Sequence, residues 1–127
     1  MNAINHTLLA QAENSSYHAI KLMMARGLDY MQKAADAFDA GNGEGWCQSI
    51  VKAHQIISGL RASLDLDSGS IADNLDGLYE YMLARLNVAF EDIDTSALSE
   101  VYDLLEEVKL GWDGIEDFAV ATAAHTA

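Results

Sequence analysis

The stretch Gly45-Trp46-Cys47-Gln48-Ser49-Ile50-Val51-Lys52-Ala53-His54-Gln55-Ile56-Ile57-Ser58-Gly59-Leu60-Arg61-Ala62-Ser63-Leu64-Asp65 decides the fold. Its positions Trp46, Ile50, Ala53, Ile57, Leu60 and Leu64 advance in steps of 4, 3, 4, 3 and 4. A helix turns once in about 3.6 residues, so this heptad spacing gathers all six side chains on one stripe that must find a partner. A half-buried strand would instead alternate at every second residue. The segment from about 45 to 65 therefore reads as an amphipathic helix, broken after Asp65 by a run ending at Gly69.

Outward from this helix the same period recurs. Upstream, Tyr17, Ile20, Met24, Leu28, Met31, Ala35 and Phe38 predict a helix over about 17–40. Asn14, Ser15 and Ser16 offer N-caps for it, and Gly41, Asn42 and Gly43 stop it. Downstream, Ile71, Leu75, Leu78, Met82, Leu86 and Ala89 form the inner stripe of a third helix over about 70–91. Ser70 with Asp73 three residues on approximates its capping box. Asp92 to Asp94 close it, and Asp94 or Thr95 caps a fourth helix over about 95–122. There Leu98, Val101, Leu105, Val108, Trp112, Ile115 and Ala119 point inward, while Gly111 and Gly114 suggest a bend or a close helix contact.

Four such helices joined by short turns predict an all-α, antiparallel up-down four-helix bundle over residues 16–124. Residues 1–15 form a separate short N-terminal segment, helical or extended, in which Ile4, Leu8 and Leu9 could dock on an apolar surface. Composition agrees with one helical domain: 127 residues, 50% hydrophobic, 21% charged and no proline.

Charge narrows the function. The net charge is −13, and the seven basic residues are scattered, so the counterion release that drives nucleic-acid binding has no footing. An anionic membrane is equally unsuited, and no apolar run approaches the roughly 20 residues of a membrane span. The single cysteine, Cys47, excludes an intrachain disulfide and reads as a buried structural thiol. The first basic side chain is Lys21, so the N-terminus lacks the charged region of a secretory signal, and a cytoplasmic protein is expected.

The residues of catalysis are missing. A di-iron bundle needs Glu-x-x-His on two helices, and none occurs. His6, His18, His54 and His125 have no metal-ligand spacing and read as half-exposed polar residues. No phosphate-binding glycine loop or Gly-x-Ser-x-Gly is present. The Glu106-Glu107 region reads as a solvated face. No enzyme, catalytic residue, metal or cofactor is expected.

Some apolar surface exceeds what a single stripe needs. On the third helix Ala72, Tyr79, Leu83, Leu86 and Phe90 form a second stripe beside the first, with Tyr81 adding a ring. The first helix adds Ala19, Met23, Tyr30, Ala34 and Ala37, and the second adds Ile56. Two readings stand: a wide core shared with two neighbours, or a groove for a partner helix made adaptable by Met23, Met24, Met31 and Met82.

The stretch Lys52-Ala53-His54-Gln55-Ile56-Ile57-Ser58-Gly59-Leu60-Arg61-Ala62-Ser63-Leu64-Asp65 resembles the pattern Lys-Ala-x-x-Ile-Ile-x-x-Leu-x-x-Ser-Leu-Asp of the FliS family of flagellin-specific export chaperones. Ile71-Ala72-Asp73-Asn74-Leu75-Asp76-Gly77-Leu78-Tyr79-Glu80-Tyr81-Met82 is similar to the family's Ile-Ala-x-Asn-Leu-x-x-Leu-Tyr-x-Tyr-Met, and Trp112 resembles its late tryptophan. The similarity spans roughly 14–113. It departs at Glu13-Asn14-Ser15-Ser16, where the family carries Thr-Ala-Ser-Pro, and at Met23-Met24-Ala25-Arg26, where it carries Leu-Tyr-Asp-Gly.

The resemblance implies a chaperone whose client is the disordered C-terminal segment of flagellin, which becomes helical in apolar grooves of the bundle and is kept from polymerising. It also implies hand-over to an export gate component, and an N-terminal segment that caps the binding surface. Residues expected to bind the partner are Ile56, Ile57, Leu60, Leu75, Leu78, Tyr79, Met82, Leu83, Leu86 and Phe90, with Tyr79→Ala or Leu86→Asp weakening binding in an intact bundle. The alternative is a self-associating bundle whose extra stripe forms a homodimer as a structural or adaptor protein.

Overall fold

A computed structural model describes the backbone of residues 2–65, 67 and 69–126, and the side chains of residues 17–65, 67 and 69–114. Among the described residues the chain is four α-helices and no strand: α1 Asn2–Asp39, α2 Gly43–Ala62, α3 Ser70–Asp92 and α4 Thr95–Thr126. Each helix packs on two neighbours: α1 on α2 and α4, α3 on α2 and α4. This is a square bundle in which the α2–α3 and α1–α4 faces lie on opposite sides. Contacts run antiparallel: Tyr17 of α1 meets Trp112 of α4, whereas Gly27 meets Leu105.

The α2 stripe is the core as its spacing requires, with Trp46, Ile50, Ala53, Ile57 and Leu60 all at most 2% exposed and Leu64 half-buried at the end. α4 contributes Leu98, Val101 and Leu105, and α1 contributes Met24, Met31 and Ala34. Among the described residues no charged side chain is buried, and apart from the Trp46 indole N–H and the Tyr79 hydroxyl the core holds by apolar burial.

α3 departs from its expected stripe. Ala72, Tyr79, Met82, Leu86 and Ala89 are buried, Leu75 and Leu78 are half-buried, and Ile71 is 72% exposed in the first turn. The inward positions Ala72, Leu75, Tyr79, Met82, Leu86 and Ala89 step 3, 4, 3, 4 and 3, so the stripe runs through Tyr79 rather than Leu78 and leaves Ile71 outside it. Phe38, also expected inside, sits in the last turn of α1 and is 45% exposed.

The ends are set by local chemistry. Gly41 adopts φ 71°, Asn42 N–H donates to Ala37 O (2.8 Å) and Gly41 N–H donates to Phe38 O (3.0 Å), a Schellman closure of α1. The Asn42 side chain then accepts from Gly45 N–H (2.9 Å) and caps α2. Asp94 caps α4, its Oδ1 accepting from the N–H groups of Ser96 (3.0 Å) and Ala97 (3.2 Å). The Ser70–Asp73 capping box does not form: Gly69 is the cap residue of α3, and Ser70 is already helical. The expected cap at Asn14–Ser16 is likewise absent, because α1 runs through it from Asn2. Among the described residues nothing lies within 4 Å of where a β-carbon on Gly111 or Gly114 would stand. The contacts of Ile4, Leu8 and Leu9, and the inward placement of Ile115 and Ala119, lie outside the described side chains.

Trp112 pins α4 to α1. Its ring stacks on Tyr17 (centroids 4.4 Å, interplanar angle 26°), its indole N–H donates to Tyr17 O (3.3 Å), and the Tyr17 hydroxyl donates to Trp112 O (3.3 Å).

Candidate functional site

The ten residues expected to meet a partner all lie on α2 and α3, and the structure divides them by depth. Ile57, Leu60, Tyr79, Met82 and Leu86 are at most 2% exposed and belong to the core. Burial also pushes the Tyr79 phenol up to about 12, so the ring stays neutral. Tyr79→Ala and Leu86→Asp would therefore unsettle the fold before they reported on binding. Leu75, Leu78 and Leu83 are half-buried, and Phe90 is 41% exposed. Ile56 is half-buried but turned to α1, where its Cγ2 lies 3.4 Å from the position a β-carbon on Gly27 would occupy.

What remains at the surface between α2 and α3 is a groove in two parts. One depression is lined by Ile50, Val51, His54, Gln55, Asn87 and Phe90. The other is lined by Ser58, Arg61, Ala62, Leu64, Asp76 and Leu83. Val51 is missing from the expected set: it is 43% exposed and stands one position off the α2 seam, whereas the surplus apolar pattern in the sequence is strongest on α3.

A polar bridge crosses the second depression. Arg61 Nε donates to Asp76 Oδ1 (2.7 Å) and Nη2 to Oδ2 (3.4 Å), with Glu80 Oε2 3.6 Å from the same Nη2. The hydrogen bond and charge of Arg61 hold the Asp76 carboxyl below the usual carboxylate value, and Asp76 in turn raises the guanidinium. On the α3–α4 side, the Tyr81 hydroxyl donates to Glu100, which also lies 3.5 Å from Arg85 Nε. The groove thus offers apolar anchoring surface with a polar strut, the make-up of a peptide-binding face.

The opposite face also carries apolar surface. Leu110 is 65% exposed beside Ala25, Leu28, Glu106 and Lys109, and Leu22 is 53% exposed on α1. Cys47 is half-buried against the core, less enclosed than expected. Among the described residues no group of His, Cys, Asp or Glu could hold a metal ion, and no helix is long and apolar enough to cross a membrane.

Comparison with known proteins bears on this geometry. The model of the family described as "Flagellar protein FliS" matches residues 1–118. The chain is 46% identical over 108 residues to the flagellar secretion chaperone FliSB of Pseudomonas aeruginosa, covering 84% of this chain and 86% of that protein. It is 31% identical over 102 residues to the flagellar secretion chaperone FliS of Vibrio cholerae (80% and 75%), and 33% identical over 100 residues to that of Escherichia coli (77% and 74%).

Proposed function

The chain belongs to the FliS family of flagellar proteins, and from that premise we propose that it is a cytoplasmic flagellar secretion chaperone, not an enzyme, whose client is flagellin. It binds the disordered C-terminal region of flagellin in its apolar grooves, prevents premature polymerisation, and passes the client to an export gate component of the flagellar type III apparatus.

The observation that supports this reading is the α2–α3 groove. A bundle whose core is already closed keeps Val51 and Phe90 more than two-fifths exposed and Leu83 half-buried along one seam. Ordering a disordered client costs on the order of 2–5 kcal/mol. At roughly 25 cal/mol per Å², about 200 Å² of apolar contact offsets the upper figure, which a helix laid along two depressions can supply. The net charge of −13 keeps a complex with a sticky client in solution, and it opposes the alternative in which two copies of this chain pair through the same face.

The test is calorimetric titration with a peptide covering the C-terminal helical region of flagellin from the same organism. The wild-type protein should form a one-to-one complex with a negative heat-capacity change and gained helicity. Phe90→Asp and Leu83→Asp should each weaken it by about tenfold or more while the circular dichroism spectrum stays unchanged. Full affinity in both folded variants would remove the groove from the reading.

A further inference from the structure

The end of the bundle that carries the α1–α2 and α3–α4 turns has a feature that flagellin binding in the α2–α3 groove leaves unused. A pocket of about 290 Å³ opens there between α1 and α4, walled by Met31, Ala35, Phe38, Trp46, Leu98 and Tyr102, with Asp39 also on its lining. Trp46 is 1% exposed, and its indole N–H finds no acceptor among the described residues. Leaving a buried donor unmatched is unfavourable, and here it coincides with an apolar pocket rather than a closed core. The Phe38 ring lies 5.5 Å from that of Trp46 and is 45% exposed, so part of the pocket's apolar wall faces solvent.

Charge around the pocket has one sign. Gln32, on its wall, donates to Asp36 (3.1 Å), which places a second carboxylate near Asp39. On the facing wall, Ser99 is followed one helical turn later by the exposed Asp103. Residues 34–51 contain Asp36, Asp39 and Glu44 without a lysine or arginine. Residues 86–108 contain Glu91, Asp92, Asp94, Glu100, Asp103, Glu106 and Glu107, again without one. Of the cations that bound these two stretches, Lys33 pairs with Asp29 (3.1 Å), Arg85 with Glu100 (3.5 Å) and Lys109 with Asp113 (3.0 Å).

We propose that this end pocket is a docking site, separate from the α2–α3 groove, for a lysine- or arginine-rich helical segment of a partner protein that inserts one bulky apolar side chain. The apolar walls receive the anchor, and the carboxylates on both sides face cations one turn before and after it. The α2–α3 groove lacks this pattern, since Arg61 already neutralises its central acid. Binding at the pocket is therefore steered by charge and weakens with salt.

The probe is a 16-residue amphipathic helix of lysine and leucine, titrated into the full chain carrying Trp112→Phe so that Trp46 alone reports. The expected result is a saturable change in Trp46 emission. Ser99→Phe, which fills the pocket, should weaken binding by about tenfold or more, and the double variant Asp36→Asn with Asp39→Asn by about threefold. The double variant keeps side-chain size at the surface and decides the matter should Ser99→Phe fail to fold. A glutamate-for-lysine version of the probe should not bind, and Asp73→Asn at the other end should change nothing. The proposal is overturned if the double variant binds as wild type, if Asp73→Asn weakens binding as much, or if Phe90→Asp removes it.

Discussion

The α1–α2 and α2–α3 seams are both antiparallel helix pairs sharing one helix, yet they close in opposite ways. Along α1–α2, glycines take positions where a β-carbon would crowd its neighbours. A β-carbon on Gly27 would stand 3.4 Å from Ile56 Cγ2 of α2, and 3.0 Å from Leu105 Cδ2 on the α4 side; one on Gly59 would stand 3.0 Å from Met23 Cε, and one on Gly45 3.1 Å from Ala37 Cβ, behind the capping Asn42 side chain at 2.7 Å. Along α2–α3 no glycine is used so: among the described residues nothing lies within 4 Å of where a β-carbon on Gly77 would stand. That seam is filled from within by Ile57, Leu60, Tyr79, Met82 and Leu86 and bridged at its rim by Arg61 and Asp76. Small residues draw two backbones together and seal a seam. Large residues backed by a polar strut hold two helices apart and leave apolar edges for another chain.

The contrast is most vulnerable at its deepest point. If α2–α3 is open only at the rim, its interior must behave as core. Leu86 is 0% exposed, and Leu86→Asp would bury a carboxylate with no partner. The cost should be about 4 kcal/mol or more, a large share of a domain's total stability. Urea denaturation followed by circular dichroism should show the bundle largely unfolded. A cooperative transition near the wild-type midpoint would mean that the seam is open to its base.

The glycines give the next largest effect. Gly27→Leu must displace Leu105 and Ile56, and overpacking of this kind costs about 1–3 kcal/mol. Gly77→Ala, on the open stretch of α3, should instead gain roughly 0.5–1 kcal/mol from helix propensity. Thermal melts of the two variants should move in opposite directions, by roughly 4 °C per kcal/mol. Melts that move together would show that α1 at Gly27, packed against α2 and α4, is no more tightly closed than α3 is at Gly77.

How far the sequence discloses this contrast depends on the kind of signal. Trp46, Ile50, Ala53, Ile57 and Leu60 are legible because a heptad seam is a periodic property of one helix, and all five are buried. The bundle follows from four such periods and three turns. α3 is harder, since its apolar residues fall on two adjoining stripes that share Leu86, and the inward set, Ala72, Leu75, Tyr79, Met82, Leu86 and Ala89, draws on both in steps of 3, 4, 3, 4 and 3. Half of the expected partner-binding set lies in the core, Ile57 and Leu60 on the α2 seam itself and Tyr79, Met82 and Leu86 on this α3 stripe. Gly27 and Gly59 carry no periodic mark, because a close approach belongs to two helices at once. The Arg61–Asp76 bridge joins residues 15 apart on separate helices, and the end pocket assembles α1, α2 and α4. Both are products of tertiary pairing that no single window contains.

The weakest effect concerns the strut itself. Arg61 holds the Asp76 carboxyl below its ordinary value of 3.8, so the folded chain binds fewer protons there than the unfolded chain does. The stabilisation is present above the ordinary value and disappears as pH falls through the lower, folded one. Asp76→Asn should accordingly flatten stability against pH below about pH 4. The change should be slight, because the pair is partly exposed and screened, and Asp94 and Asp113, also held low by hydrogen bonds, still contribute their own acid limbs. Urea midpoints measured across that range for both proteins check the sign. If the strut only spaces the helices, the Asp76→Asn side chain, whose amide oxygen can still accept from Arg61, leaves flagellin-peptide affinity at pH 7 unchanged. A marked gain in affinity would mean instead that the ion pair obstructs the groove, and that the open seam of the resting protein is partly closed by charge.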